Sequence, residues 1–311
     1  MKVAVTGGTG FIGSHLVPEF VGACYEVSCT VEPAIPDTIP GVHMFPADIS
    51  TGAGITEAFS GADAVVHLAA RNHVLKKTAR DPLAEYRRVN VEGTRNVARA
   101  ASSLGVKIMI HISSVKAMGE ESDGILDENS ACDPKTPYGI SKLESEEVVR
   151  YEASRGKFRA VIVRLPMVYG PGNKGNLPRM IRWADRGLPF PLFQPDNLRS
   201  MVYVENVVAG ILAILKNPPA ATSSYIIKDQ EDYSTRTIYA AICRELGRRP
   251  LFLKVPALLV KFGGKVSDDF RKVTGSFRVS SEKIEREIGF TPPFSLEEGI
   301  AKTVRWYKDS A

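Results

Sequence analysis

The chain begins with a short apolar strand, Met1-Lys2-Val3-Ala4-Val5, that runs straight into Thr6-Gly7-Gly8-Thr9-Gly10-Phe11-Ile12-Gly13-Ser14-His15. Glycines at 7, 10 and 13, set between a strand and a helix, permit a tight turn. They let backbone amides approach a pyrophosphate at the positive end of the helix. No other stretch restricts the fold as much, because this loop belongs at the carboxyl end of the first strand of a βα unit. It predicts a dinucleotide cofactor; a tight turn without a ligand is the alternative for the glycines taken alone.

Beyond the loop, the sequence keeps to the βα rhythm. Strand-like runs recur at 3–5, 26–31, 42–45, 64–68, 107–112 and 160–164, with helical patterns near 11–22, 51–59, 82–104 and 137–155 between them. Strands alternating with helices over this length predict an α/β fold with a doubly wound parallel sheet, whose ligands sit at the carboxyl ends of the strands. After Arg164 the rhythm fails. Leu165-Pro166-Met167-Val168-Tyr169-Gly170-Pro171-Gly172-Asn173 is loop chemistry, and Pro189, Pro191 and Pro195 break the chain again further on. Helical patterns near 177–187, 204–216, 235–247 and 296–308 predict a smaller mixed α/β lobe closing a cleft over the sheet edge. A chain of 311 residues, 44% hydrophobic, has enough core for two closely joined lobes.

A net charge of +5 suits an anionic small molecule and is no mark of nucleic-acid binding. Cys24, Cys29, Cys132 and Cys243 lack C-x-x-C spacing, and the histidines at 15, 43, 67, 73 and 111 pair with no second ligand at helical spacing. Reduced thiols and no metal are expected. No apolar run approaches the ~20 residues of a spanning helix, so a cytoplasmic protein without a membrane partner is expected.

The reactive chemistry lies in Thr136-Pro137-Tyr138-Gly139-Ile140-Ser141-Lys142. Thr136 suits an N-cap and Pro137 the first helical position, which puts Tyr138 and Lys142 on one helix face. An ammonium about 5 Å from a phenol is worth roughly 3 kcal/mol at an effective dielectric of about 20. This predicts a Tyr138 that titrates nearer neutrality and takes protons. The bland alternative is an aromatic and a surface lysine meeting by chance. Upstream, Ile110-His111-Ile112-Ser113-Ser114 is a strand ending in two serines, either of which can bond a substrate oxygen or simply finish the strand.

Taken together, Thr6 to Gly13, Asp48-Ile49, His67-Leu68-Ala69-Ala70, Asn90 to Thr94, Ser113-Ser114, Tyr138-x-x-x-Lys142 and Val168-Tyr-Gly-Pro171 resemble the extended short-chain dehydrogenase/reductase family. Within it they resemble the nucleotide-sugar epimerases and reductases acting at sugar C4. The resemblance implies a Rossmann domain over 1–168 and a mainly nucleotide-sugar-binding lobe over 169–311, with 200–217 returning to the first. It implies cofactor contacts from Gly7, Gly10, Phe11, Ile12, Gly13, Glu32, Asp48, Ile49, Leu68, Ala69, Ala70, Asn90, Tyr138 and Lys142. Ser114, five residues before Gly119, would be the catalytic hydroxyl alongside Tyr138 and Lys142. Asn176 and Leu177 would open a helix over a uridine, and Arg199 and Arg271 would clasp a diphosphate. Helices 82–104 and 137–155 resemble the pair that builds a homodimer interface.

Three departures from the family pattern carry information. Met167 stands where many relatives have an asparagine. Val115-Lys116 replaces the acid pair of 4,6-dehydratases, which argues against water elimination and puts Lys116 near the sugar as a further substrate contact. Val31 fills the usual place of the ribose-binding acid, with Glu32 one step later. That carboxylate would repel a 2′-phosphate, so NAD is expected, with NADP the second choice. The expected activity is 4-epimerisation of a UDP-hexose through a 4-keto sugar. A 4-keto-sugar reductase of surface-polysaccharide synthesis is the alternative, and a non-catalytic NAD-sensing or scaffold protein is a third reading.

Overall fold

Strand β1 (Lys2–Thr6) lies in the interior of a seven-stranded sheet, with Val3 to Thr6 buried. Val3 and Val5 point into one core, Ala4 into the other. The structure is a computed structural model that describes residues 1–32, 39–72, 81–122, 124–156, 158–192, 197–254 and 276–310. Helix α1 (Phe11–Gly22) leads to β2 (Glu26–Val31) and β3 (Val42–Pro46); α2 (Ile55–Phe59) leads to β4 (Ala64–His67). Next come α3 (Pro82–Tyr86), a π-helical turn (Arg87–Glu92) and α4 (Gly93–Ser103), then β5 (Ile108–Ser114), a short β6 (Ile125–Leu126), α5 (Pro137–Arg155) and β7 (Arg159–Leu165).

The remaining elements are β8 (Met167–Tyr169), α6 (Asn176–Asp185), β9 (Phe190–Leu192), β10 (Arg199–Tyr203), α7 (Val204–Lys216), β11 (Ser223–Ile226), β12 (Asp232–Tyr233), α8 (Thr235–Glu245), β13 (Phe252–Lys254), β14 (Arg278–Val279), α9 (Glu282–Ile288) and α10 (Leu296–Ser310). The large sheet has the order β11-β7-β5-β4-β1-β2-β3, with every pair parallel. Chain direction therefore switches between β1 and β4, the crevice where such sheets take dinucleotides.

One face of the sheet is covered by α1, α7 and α9 through Leu16, Phe20, Val207, Ile211, Ile284 and Ile288. The other is covered by α2, α4 and α5 through Phe59, Val97, Ala101 and Val149. A separate core built on Tyr169, Ile181, Tyr203, Tyr239, Ile242 and Ile300 joins α6, α8 and α10 to the small sheet β12-β10-β8. Residues 204–216 and 223–226 thus pack with the large sheet although they come after the first elements of that smaller assembly. The pattern at 51–59 yields only α2, because Gly52 and Gly54 take φ of +84° and +76°, outside helical space. The pattern at 82–104 is helical throughout, with its middle widened into the π turn.

Candidate active site

The glycine loop is closed by contacts that leave no room for side chains. Gly7 has φ +74°, and a Cβ there would lie 2.8 Å from the Ala69 amide nitrogen. A Cβ on Gly13 would run into the carbonyl oxygens of Gly7 and Gly8. The loop after β1 is thereby held against Leu68 and Ala69 just beyond β4. Helix α1 starts at Gly10 without a side-chain cap, so its first amides are available to an anion. Phe11 and Ile12 turn sideways onto the Tyr169 core. His15 Nε2 donates to Pro171 O at 2.9 Å, which draws the loop after β8 to the same helix.

Around this cradle, Glu32 is exposed just beyond β2. Asp48 accepts from Ser50 Oγ at 2.7 Å and Ser50 N at 2.8 Å, bonds that hold its carboxyl below the usual range. Ile49 lies against Gly93 of α4. Asn90, buried in the π turn, accepts from Arg71 N at 2.7 Å and donates to Ser141 Oγ at 3.0 Å, tying the chain beyond Ala70 to α5. A glycine-rich loop at a helix N-terminus, with a carboxylate just beyond the second strand, fits NAD.

Beneath the loop lies a polar layer that the sequence motifs do not reveal. Thr6, His67 and His111 are register partners on β1, β4 and β5. Thr94 Oγ1 donates to Asn90 O at 2.6 Å and so accepts from His67 Nε2 at 3.0 Å. His67 Nδ1 then accepts from Thr6 Oγ1 at 2.6 Å. Ser145 Oγ donates to Lys142 O at 2.7 Å and accepts from His111 Nε2 at 3.0 Å. Burial, with the nearby Lys142 charge, lowers His67 to about 3 and keeps both rings neutral. Histidines at the same level of two otherwise apolar strands were the available signal.

Thr136 caps α5 by accepting from Gly139 N at 3.2 Å, with Pro137 at the first position, as expected. Glu120 holds the cap by accepting from Thr136 Oγ1 at 2.7 Å and Thr136 N at 3.0 Å. The helix brings Tyr138 into hydrogen-bonding reach of Ser114 and against the ring of Tyr86, with ring centroids 5.8 Å apart. Ser113 faces elsewhere: its Oγ donates to Glu146 at 2.6 Å, and Arg164 grips the same carboxylate through Nη2 at 2.7 Å and Nε at 3.0 Å. Lys142 is buried and donates to Ile112 O at 2.8 Å.

The acidity expected of Tyr138 is not what the folded chain alone produces. Burial pushes the phenol up to about 12, against the downward pull of the Ser114 bond. Burial also brings Lys142 down to about 8, with Glu146 opposing. Desolvation sets the phenol's acidity, while Lys142 is directed at the Ile112 carbonyl.

Arg199 at the start of β10 has a buried Nη1 without a hydrogen-bond partner, and burial brings its guanidinium down to about 10. Lys116 Nζ donates to Glu120 O at 3.3 Å and lies 5.3 Å from the centre of the Phe277 ring, whose backbone bridges to Arg199. Phe277 thus links Lys116, through its ring, to Arg199, through its backbone. Asn176 opens α6, while the Leu177 side chain is buried in the Tyr169 core, leaving only its backbone for a ligand. Met167 is exposed. Arg271 lies outside the described residues. Among the described residues no group of three His, Cys, Asp or Glu side chains is arranged to hold a metal, and no helix is long and apolar enough to cross a membrane.

Residues 3–227 match the family described as NAD dependent epimerase/dehydratase. The UDP-glucose 4-epimerase of Vibrio cholerae is 33% identical over 98% of this chain and 94% of its own length. An N-acetyl-α-D-glucosaminyl-diphospho-ditrans,octacis-undecaprenol 4-epimerase of Escherichia coli O157:H7 is 28% identical over 98% of this chain and 95% of its own. MoeE5, solved with UDP-glucuronic acid and NAD, superposes with a TM-score of 0.83 at 25% identity, covering 100% of both chains. Loop, strand order and whole-length similarity agree: the chain belongs to the NAD-dependent epimerase/dehydratase family, an extended short-chain dehydrogenase/reductase.

Proposed function

We propose that the protein is a UDP-hexose 4-epimerase that works through a 4-keto sugar and keeps NAD between turnovers. The feature that carries this reading is Tyr138 within reach of Ser114 at the end of β5, with Lys142 buried one turn further along the same helix. Tyr138 takes the proton of the sugar 4-hydroxyl as the C4 hydrogen leaves, and gives it back when hydrogen returns to the opposite ring face. Ser114 holds the 4-oxygen, whose charge changes most. NAD, when bound, supplies the hydride acceptor at C4 and a positive ring charge that favours the phenolate. Gly7, Gly10 and Gly13 would cradle its pyrophosphate; Glu32, Asp48 and Ile49 would flank its adenosine, and Lys142 its nicotinamide ribose. Arg199 would bind the substrate diphosphate, Asn176 and the Leu177 backbone the uridine, and Lys116 the sugar.

The lack of an acid pair at Val115-Lys116 disfavours elimination of water. The same Lys116, together with Met167, supports a second reading as a 4-keto-sugar reductase. A homodimer is part of the proposal. Val91, Arg95, Glu144, Glu147, Val148 and Tyr151 line a shallow groove of about 330 Å³ between α4 and α5, a face suited to a second copy. Sedimentation showing a monomer at micromolar concentration would contradict it.

The test is to denature the purified protein, identify the released cofactor, and offer the native protein UDP-glucose and UDP-N-acetylglucosamine with no cofactor added. Interconversion with the C4 epimers supports the epimerase. Release of no NAD, with turnover of a 4-keto sugar only when reduced cofactor is supplied, favours the reductase.

A further inference from the structure

The outer face of α6 and the β9-β13 ribbon carries an array that the catalytic reading does not use. Helix α6 buries Leu177, Met180, Ile181 and Ala184, so Arg179, Arg182, Trp183 and Arg186 share its outward stripe. Trp183 is 41% exposed and held in place, its Nε1 donating to Pro189 O at 3.0 Å. The parallel pairing Phe252↔Phe190 turns both phenylalanines inward onto Tyr239, with ring centroids 5.7 and 4.7 Å away. Strand alternation then sends Leu251 and Leu253 outward, where they are 52% and 57% exposed.

Leu188 joins the array, since its amide bonds to Trp183 O and its carbonyl accepts from the Tyr239 hydroxyl. Four of the eight exposed large hydrophobic residues among those described therefore gather on one face, while Met1, Ile125, Tyr151 and Met167 lie outside these segments. Isolated exposed leucines need no explanation; a gathered set with an indole does. The segments 179–191 and 244–253 also hold six arginines against two carboxylates, Asp185 and Glu245. Arg182, Arg186, Arg248 and Arg249 are exposed and make no ion pair among the described residues.

We infer that this face docks the protein peripherally on an anionic lipid surface. An indole and leucines enter the boundary between headgroups and acyl chains, and arginines around them bind lipid phosphates in bidentate fashion. Charge complementarity selects this occupant: a second copy of the same face would set arginines against arginines. The absence of a spanning helix bears on insertion through a bilayer and leaves surface contact open.

The experiment is co-sedimentation of the full chain with vesicles of phosphatidylcholine alone and of phosphatidylcholine with 30% phosphatidylglycerol. The inference requires binding to the anionic vesicles, weakened as salt rises, and little binding to the neutral ones. Trp183→Ser/Leu253→Ser and Arg182→Glu/Arg186→Glu should each lower the anionic partition about tenfold or more while the melting temperature holds. Arg155→Glu on α5 should leave it unchanged. Failure of the wild type to bind anionic vesicles at low salt overturns the inference, as does binding indifferent to the two double variants. Self-association abolished by Trp183→Ser/Leu253→Ser would assign the face to a second copy and also overturn it. None of these outcomes depends on the sugar chemistry.

Discussion

Ser113 and Ser114 are adjacent, yet strand alternation gives them different tasks. Ser114 meets Tyr138, whereas Ser113 secures the buried Glu146–Arg164 pair. Ser113→Ala should cost about 1–3 kcal/mol of stability, read from denaturant unfolding, with catalysis largely kept. Tyr138→Phe should leave stability near the wild-type value and lower kcat by more than ~100-fold. Lys142, brought down to about 8 in the folded chain, is normally protonated to above pH 10 when unfolded. Between these values the unfolded chain binds more protons, so stability rises with pH across that window. The wild type should gain roughly 3 kcal/mol relative to Lys142→Met between pH 7 and 10.5, measured by urea unfolding of both. Above pH 10 the raised Tyr138 acts in the opposite sense, because the unfolded chain then loses its phenolic proton first. Spacing along the helix identified the residues of this pair but not their acidity, since burial depends on what Tyr86 and β5 bring from elsewhere in the chain.

At the scale of elements, the βα rhythm and the caps were legible because local residues determine them: Gly10 before α1, Thr136-Pro137 before α5, apolar runs for buried parallel strands. The π turn was not. Its effect is to turn the buried Asn90 toward Arg71 and Ser141, and helical periodicity gives little indication of one widened turn. The Thr6-His67-His111 layer was no easier to read, because its hydrogen bonds join β1 to β4 and run from the strands to Thr94 on α4 and Ser145 on α5. The glycine loop allows a direct test. Gly13→Ala would force a Cβ against the Gly7 and Gly8 carbonyls, costing about 1–3 kcal/mol and opening the loop. Less NAD should be released on denaturing the variant than the wild type, and equal recovery would show that the loop does not hold the cofactor.

Across the whole molecule, the two assemblies share elements instead of meeting at a linker. Buried Asp229 accepts from Asn206 of α7 at 2.7 Å, from the β10 amide of Tyr203 at 2.8 Å and from the hydroxyl of Tyr169 on β8 at 2.9 Å. It thus joins the helix packed on α1 to the core that carries α6. Asp229→Ala should destabilise the protein by about 3 kcal/mol, and a single lowered calorimetric transition would show that both assemblies unfold together. The central claim is that hydrogen leaves C4 and returns to the same carbon while Tyr138 carries the proton. It is tested most directly by supplying UDP-glucose deuterated at C4, with excess unlabelled NADH in solution, and measuring deuterium in the epimer formed. Full retention of deuterium at C4 is predicted; its loss to solution, or no epimer at all, would contradict the account.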